Sequence, residues 1–168
     1  MLKIINDLRP FFEDCYGRIN VRQYARIMKI TAPTASKLLK YYEKKGLLIR
    51  EKDRNYIMFH ANRDSKIFIG LSRMYWQLAL TELVNFLESG LANPAIVLFG
   101  SLAKAEAKPD SDIDLAIFGS KKSADMKQFE RKLGRKIQVF RFDLAKEMPE
   151  DLANGIINGH ILSGRLEL

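Results

Sequence analysis

Residues 96–118, IVLFGSLAKAEAKPDSDIDLAIF, decide how the second half of this chain is read. The segment opens inside a wholly apolar run, AIVLF (95–99), whose shortness and composition predict a buried strand. Gly100-Ser101 ends that run, and LAKAEA begins a helical pattern. A second apolar run, Ile113 to Phe118, reads as another strand, yet two aspartates, Asp112 and Asp114, stand at its start. Asp is depleted in strands because it solvates poorly there and competes for backbone hydrogen bonds. Two positions apart in a strand, the two side chains leave the same face. Their charges repel, and burying them unpaired would be costly. A divalent cation removes both penalties. Hard oxygen donors, few in number, with the other positions left to phosphate or water, describe Mg²⁺ better than zinc. A strand that passes through Gly-Ser into a helix also offers backbone N–H groups and a hydroxyl to the phosphates of a nucleotide. The two features together point to nucleotidyl transfer by attack on the α-phosphate.

Gly100-Ser101, ten intervening residues and Asp112-Ile113-Asp114 resemble the signature of the minimal nucleotidyltransferase family of the polymerase-beta-like superfamily. Glu106 and PDSD (109–112) also look like that family, and the resemblance covers about residues 94–143. It implies a small mixed sheet with helices on one side, ATP or another nucleoside triphosphate, and Mg²⁺. It gives the phosphates to Gly100 and Ser101, and the metal and the catalysis to Asp112 and Asp114. The sequence departs from the family in two ways. Leu102 follows Gly-Ser where members often carry a basic residue, and Ala105 precedes Glu106 where they often carry glycine. Lys104 is the remaining cation and joins the expected phosphate-binding residues. The family also uses a third carboxylate on a later strand, as metal ligand and base. That strand here is RKIQVFRF (135–142), and the matching position is Gln138. An amide oxygen ligates weakly and cannot take a proton at neutral pH. Asp143, an odd number of residues further on, should face the other side and is a poor substitute.

The first third reads differently. Residues 1–64 hold 14 Lys/Arg against 7 Asp/Glu, whereas residues 65–168 hold 14 against 13, so nearly all of the net +8 belongs to the first third. That asymmetry points to a polyanion, nucleic acid first. Residues 2–13 and 20–30 read as helices, the second with Val21, Tyr24, Ala25 and Met28 inward. A third helix follows almost at once over 31–48. Thr31 is its expected N-cap, Pro33 lies in its first turn, and Ala35, Leu38, Leu39 and Tyr42 form its apolar stripe. Gly46 stops it, and two β-prone runs then flank the charged turn EKDRN. Three helices and a hairpin make a winged helix-turn-helix pattern. Over residues 15–60 it resembles the winged-helix domains of prokaryotic transcription regulators. Thr34, Ser36, Lys37, Lys40, Tyr41 and Lys44 oppose the apolar stripe and can meet base edges and phosphates of double-stranded DNA. Lys52 and Arg54 fall at the tip of the wing.

The expected fold class is therefore α+β. Residues 1–63 form a winged helix-turn-helix domain, 64–90 one long connecting helix, and 91–168 a nucleotidyltransferase-fold mixed sheet flanked by helices. The connecting helix is apolar on more than one face, which suits burial and pairing with a second copy as a homodimer. Arg73 and Glu82 within it exclude a membrane span, and a single cysteine, Cys15, excludes an intramolecular disulfide. The N-terminus meets charge too early for a signal peptide, so a cytoplasmic protein is expected. His60 and His160 have no metal-ligand spacing, Lys121 and Lys122 read as a solvated loop tip, and 151–164 reads as a helix packed on the sheet. The leading expectation is an enzyme that moves a nucleotidyl group to a protein or small-molecule hydroxyl. Its rival is a DNA-binding regulator that only senses nucleotide, the third carboxylate being absent. By analogy with minimal nucleotidyltransferases, a further alternative is an antitoxin acting on a HEPN-like partner.

Overall fold

The computed structural model describes residues 2–91, 94–119 and 124–166. They form two compact units. The first comprises residues 1–75 with the short segment 105–109, and the second comprises 76–104 and 110–168.

The first unit begins with α1 (Lys3–Glu13) and a two-residue strand, β1 (Ile19–Asn20). Helix α2 (Val21–Met28) starts on a reciprocal cap. The Gln23 N–H donates to Asn20 Oδ1, and the Asn20 N–H donates to Gln23 Oε1, each at 2.9 Å. The helix ends where Lys29 takes the left-handed region at φ 54°, and the Ile30 N–H returns to the Ala25 carbonyl. Thr31 then caps α3 (Ala32–Lys44), accepting from the Thr34 N–H. Strands β2 (Leu48–Asp53) and β3 (Tyr56–Ala61) pair antiparallel around the turn at Arg54-Asn55, and β1 adds to the outer edge of β3. Helix, strand, two helices and a two-stranded wing make this unit a winged helix.

Its core is Ile5, Leu8, Phe11 and Phe12 from α1 against Tyr24, Ala35, Leu39 and Phe59. One carboxylate lies inside. Asp7 Oδ2 accepts from the Tyr42 hydroxyl at 2.7 Å, and the Asp7 carbonyl accepts from the Tyr24 hydroxyl at 2.7 Å. Burial, followed by the Asp7 charge, pushes both phenols above their ordinary range, so they stay protonated and able to donate. Tyr42→Phe should cost about 1–3 kcal/mol in urea denaturation, because it strands a buried acceptor while barely changing volume. An unchanged midpoint would show that the Asp7 contact contributes nothing.

The segment 105–109 is tied into this unit. The Cys15 N–H donates to the Ala107 carbonyl at 2.8 Å, and Ala105 and Ala107 are fully buried. Lys108 and Arg63 both lie against the Tyr16 ring, 5.3 Å and 4.0 Å from its centroid.

The run expected as one helix over 64–90 is two, α4 (Lys66–Ala79) and α5 (Thr81–Gly90), divided at Leu80. Leu80 departs from helical geometry at φ −93° and ψ 0°, and the Thr81 hydroxyl donates to the Gln77 carbonyl at 3.0 Å beside it. The second unit's sheet has the order β6-β5-β4-β7. β4 (Ala95–Phe99) runs antiparallel to β5 (Ile113–Phe118) and to β7 (His160–Ser163), and β5 is parallel to β6 (Ile137–Phe142). A short helix, α6 (Gly100–Ala103), follows β4.

Alternation divides the sheet's side chains between two buried faces. Val97, Phe99, Ala116, Phe118 and Phe142 pack with Ile156 of α8 (Glu150–Ile157), and Leu152 adds to them. On the opposite face Ile96, Leu98, Ile113, Leu115 and Ile117 are fully buried. Helix α7 (Lys127–Leu133) lies beside Ile137 and Val139. Helix α8 thus lies on one face and α7 beside the other, whereas the family resemblance implied helices on one side. The tail is also corrected. Its helix stops at Ile157, and His160–Ser163 turns into β7. At Gly159 a Cβ would lie 2.7 Å from the Leu98 carbonyl, so the chain can swing back onto β4 only through glycine. Lys121 and Lys122 lie outside the described residues.

Candidate active site and candidate nucleic-acid interface

The two aspartates reach one place through strand register. Phe99, the last residue of β4, pairs with Asp114, so the turn at Gly100 closes directly over the Asp114 side chain. Gly100 has φ +70°, and a Cβ built there would stand 2.2 Å from Asp114 Oδ2 and 3.2 Å from its Cγ. Both the dihedral and the approach demand glycine. On the other side of β5, Asp114 pairs with Gln138 of β6, which puts Gln138 on the same face. The Gln138 amide Nε2 donates to Asp112 Oδ2 at 2.6 Å.

Gly100, Asp112, Asp114 and Gln138 are therefore brought together. Ser101, next along α6, is partly buried, and Lys104 is exposed just beyond that helix. Burial raises the Asp114 carboxyl above its ordinary value, and the neighbouring Asp112 charge raises it further. The folded chain thus holds a proton on Asp114 more tightly than the unfolded chain does. Stability falls as pH rises from the ordinary carboxylate value through that raised value, and above the window the ionised Asp114 remains a penalty. A cation placed between the two carboxylates would lift it.

Among the described residues no group of three or more His, Cys, Asp or Glu side chains could hold a metal. The donor set is two carboxylates with an amide in the third position. These hard oxygen donors fit a magnesium ion that keeps water or phosphate as its other ligands. The amide's donor role was absent from the sequence reading. In the sequence Gln138 reads as a weak ligand, and the signal for its donor role is its N–H₂ group beside a strand that carries carboxylates.

The residues expected at DNA sit on the outer side of the first unit. Thr34, Lys37, Lys40, Tyr41 and Lys44 are exposed along α3, Ser36 is partly exposed, and Lys52 and Arg54 are exposed on the wing. Arg54 holds the left-handed region at φ 52° at the tip. Thr34 also serves the cap, its hydroxyl 2.9 Å from that of Thr31. Exposed Tyr56 and Ile57 extend the wing's surface beyond its charges. His60 lies 3.7 Å from Glu51, and His160 lies 3.1 Å from the Gln77 amide oxygen. Cys15 is buried, its thiol 3.7 Å from the Phe12 carbonyl, as a small core side chain would be. No helix among the described residues is long and apolar enough to cross a membrane.

Compared with known families, residues 82–166 match that of the polymerase beta nucleotidyltransferases. No curated protein matches the sequence significantly. Among solved structures, MepR, a transcription regulator of the Staphylococcus aureus multidrug efflux pump MepA, is similar at 20% identity and a TM-score of 0.42. That likeness covers 55% of this chain and 67% of MepR.

Proposed function

The chain belongs to the polymerase beta nucleotidyltransferase family, and from that premise we propose that its second unit binds ATP or another nucleoside triphosphate with Mg²⁺. It then transfers a nucleotidyl group to a hydroxyl of a protein or small molecule. The observation that carries this reading is the bare Gly100 Cα closing over Asp114, with Asp112 brought near by its hydrogen bond to Gln138. Asp112 and Asp114 would hold the metal. When bound, Mg²⁺ supplies positive charge to the triphosphate and to the charge that develops in transfer.

The protein's own groups do the rest. Gly100 lets phosphate approach the backbone without a side chain between, Ser101 offers a hydroxyl, and Lys104 a cation. Gln138 steadies Asp112 through its amide N–H but cannot take the acceptor's proton, so transfer is slow. The same hydrogen bond favours a second reading, in which the unit senses nucleotide and transfers nothing. On the resemblance drawn above, a HEPN-like protein is the first acceptor to offer.

The test uses the full chain. ATP with Mg²⁺ should raise the melting temperature by mass action. The double variant Asp112→Asn, Asp114→Asn should lose that shift, yet be at least as stable as wild type without metal at pH 7. Its excess stability should fade on acidification through the Asp114 window. A double variant that keeps the full ligand-induced shift removes the carboxylates from the site.

We infer further that α3 and the wing bind double-stranded DNA, supported by the concentration of positive charge in residues 1–64. Lys37→Ala with Lys40→Ala should weaken duplex binding and flatten its logarithmic salt dependence by about one unit per lost phosphate contact. Equal affinity and equal slope in a salt titration would exclude α3 from the interface.

A further inference from the structure

β6 is an edge strand. The Ile113 N–H donates to the Lys136 carbonyl at 2.8 Å, the Gly119 N–H donates to the Phe142 carbonyl at 3.0 Å, and the register between them is one to one. In a parallel pair, residues that bond to the neighbouring strand alternate with residues turned away from it. Positions 136, 138, 140 and 142 therefore serve β5, while Ile137 and Val139 direct their N–H and C=O groups outward. The outward N–H of Ile137 is already met by a carboxylate, Glu130 Oε1, at 3.0 Å. That of Val139 has no partner among the described residues.

Beside this edge runs a groove of about 420 Å³, floored by Ile137 and Val139 and walled by Met126 with two acids, Asp125 and Glu130, and two bases, Lys127 and Arg141. It continues past Lys127 and Glu130 into a cleft of about 570 Å³ lined by Arg131, Gly134, Arg135 and Lys136. Five cations and one carboxylate fall within residues 127–136. Lys132 is paired with Glu82 at 2.5 Å, whereas Lys127, Arg131 and Lys136 stand exposed along the strip.

We propose that the β6 edge and the basic cleft that adjoins it at α7 are a docking site for an extended acidic segment of a partner protein, which adds to the sheet as a strand next to β6. The chemistry selects among occupants. Nucleic acid would answer the cations but leave the outward backbone groups of Val139 and the apolar floor unmet. A second copy paired antiparallel through the same edge would place both α7 helices on one face, cation facing cation. An acidic strand supplies backbone partners, alternate side chains for the floor, and carboxylates for the rim. Glu130 on the Ile137 N–H shows within this chain that the edge accepts a carboxylate.

The experiment takes the full-length protein and, as probe, a fluorescent octapeptide of alternating Glu and Val. A Lys/Val octapeptide and a dT oligonucleotide are run alongside in anisotropy at low salt. The Glu/Val peptide should bind, and it should protect the Val139 amide from hydrogen exchange. Val139→Pro removes only an outward N–H, which an edge strand tolerates, so it should weaken the peptide at least tenfold while sparing the ATP–Mg²⁺ melting shift. Lys127→Glu with Lys136→Glu should weaken it at least tenfold as well, and that variant decides the matter if the proline variant melts early. Undiminished peptide binding by the charge variant overturns the proposal. So does tighter capture of the oligonucleotide than of the peptide, or self-association of the chain that Val139→Pro abolishes.

Discussion

Gln138→Asp is expected to raise nucleotidyl transfer by about a hundred- to ten-thousand-fold, the range a positioned general base contributes. The position is in register with Asp114, and its side chain already reaches Asp112. A carboxylate there restores a proton acceptor on the right face, one methylene shorter than the amide. The substitution also gathers three like charges on one face, so without metal the variant should melt below wild type. Added Mg²⁺ and nucleotide should reverse that order. Transfer of label from α-labelled ATP to the chain itself, or to an offered acceptor, reads the first effect, and thermal melting the second. A wild type that binds nucleotide but transfers nothing, beside a variant that does transfer, makes the natural chain a sensor. A wild type that transfers well, with a variant no faster, means that another group already serves as base.

Gly100→Ala should damage both the stability of the second unit and its candidate site. The residue would have to hold φ +70°, which costs an L-residue about 1–2 kcal/mol. Its Cβ would also press on Asp114 Oδ2, and such overpacking typically costs about 1–3 kcal/mol more. A total loss of about 2–5 kcal/mol is expected, together with loss of the ATP–Mg²⁺ shift, because Asp114 must swing away. The two causes separate in a double variant. Gly100→Ala with Asp114→Ala removes the oxygen and leaves the dihedral, so about half of the lost stability should return. Should the pair be no more stable than Gly100→Ala alone, the crowding is harmless and only the backbone matters.

What could be read from the chain was local or periodic. The caps at Asn20 and Thr31 are written in neighbouring residues, and the wing in two β-prone runs around a charged turn. The family resemblance singles out Gln138 as the third position, and the strand register then sets it opposite Asp114. Other features depend on atoms far apart in sequence. The break at Leu80 is a change of backbone angles at one residue inside a continuous apolar pattern, which that pattern does not reveal. β7 is only four residues long and is a strand because β4, more than sixty residues earlier, offers it an edge. The amide of Gln138 became a donor only once Asp112 was seen beside it. The family resemblance implies that a carboxylate is missing, and only geometry says what the replacement does.

The segment 105–109 bears on how the molecule is made. In sequence it lies between the turn at Gly100 and the aspartate pair, yet its contacts belong to the first unit, where the Ala107 carbonyl takes the Cys15 N–H and Lys108 lies against the Tyr16 ring. Neither unit is therefore a continuous stretch of chain. During synthesis the first 75 residues leave the ribosome without the piece that covers Cys15, and they must wait through two helices and a strand for it. Closing so long a loop late is slow compared with forming the local helices and the hairpin. The first unit is thus completed only once residues 105–109 have been made, so the first unit of the chain to begin folding cannot finish before the second has been started.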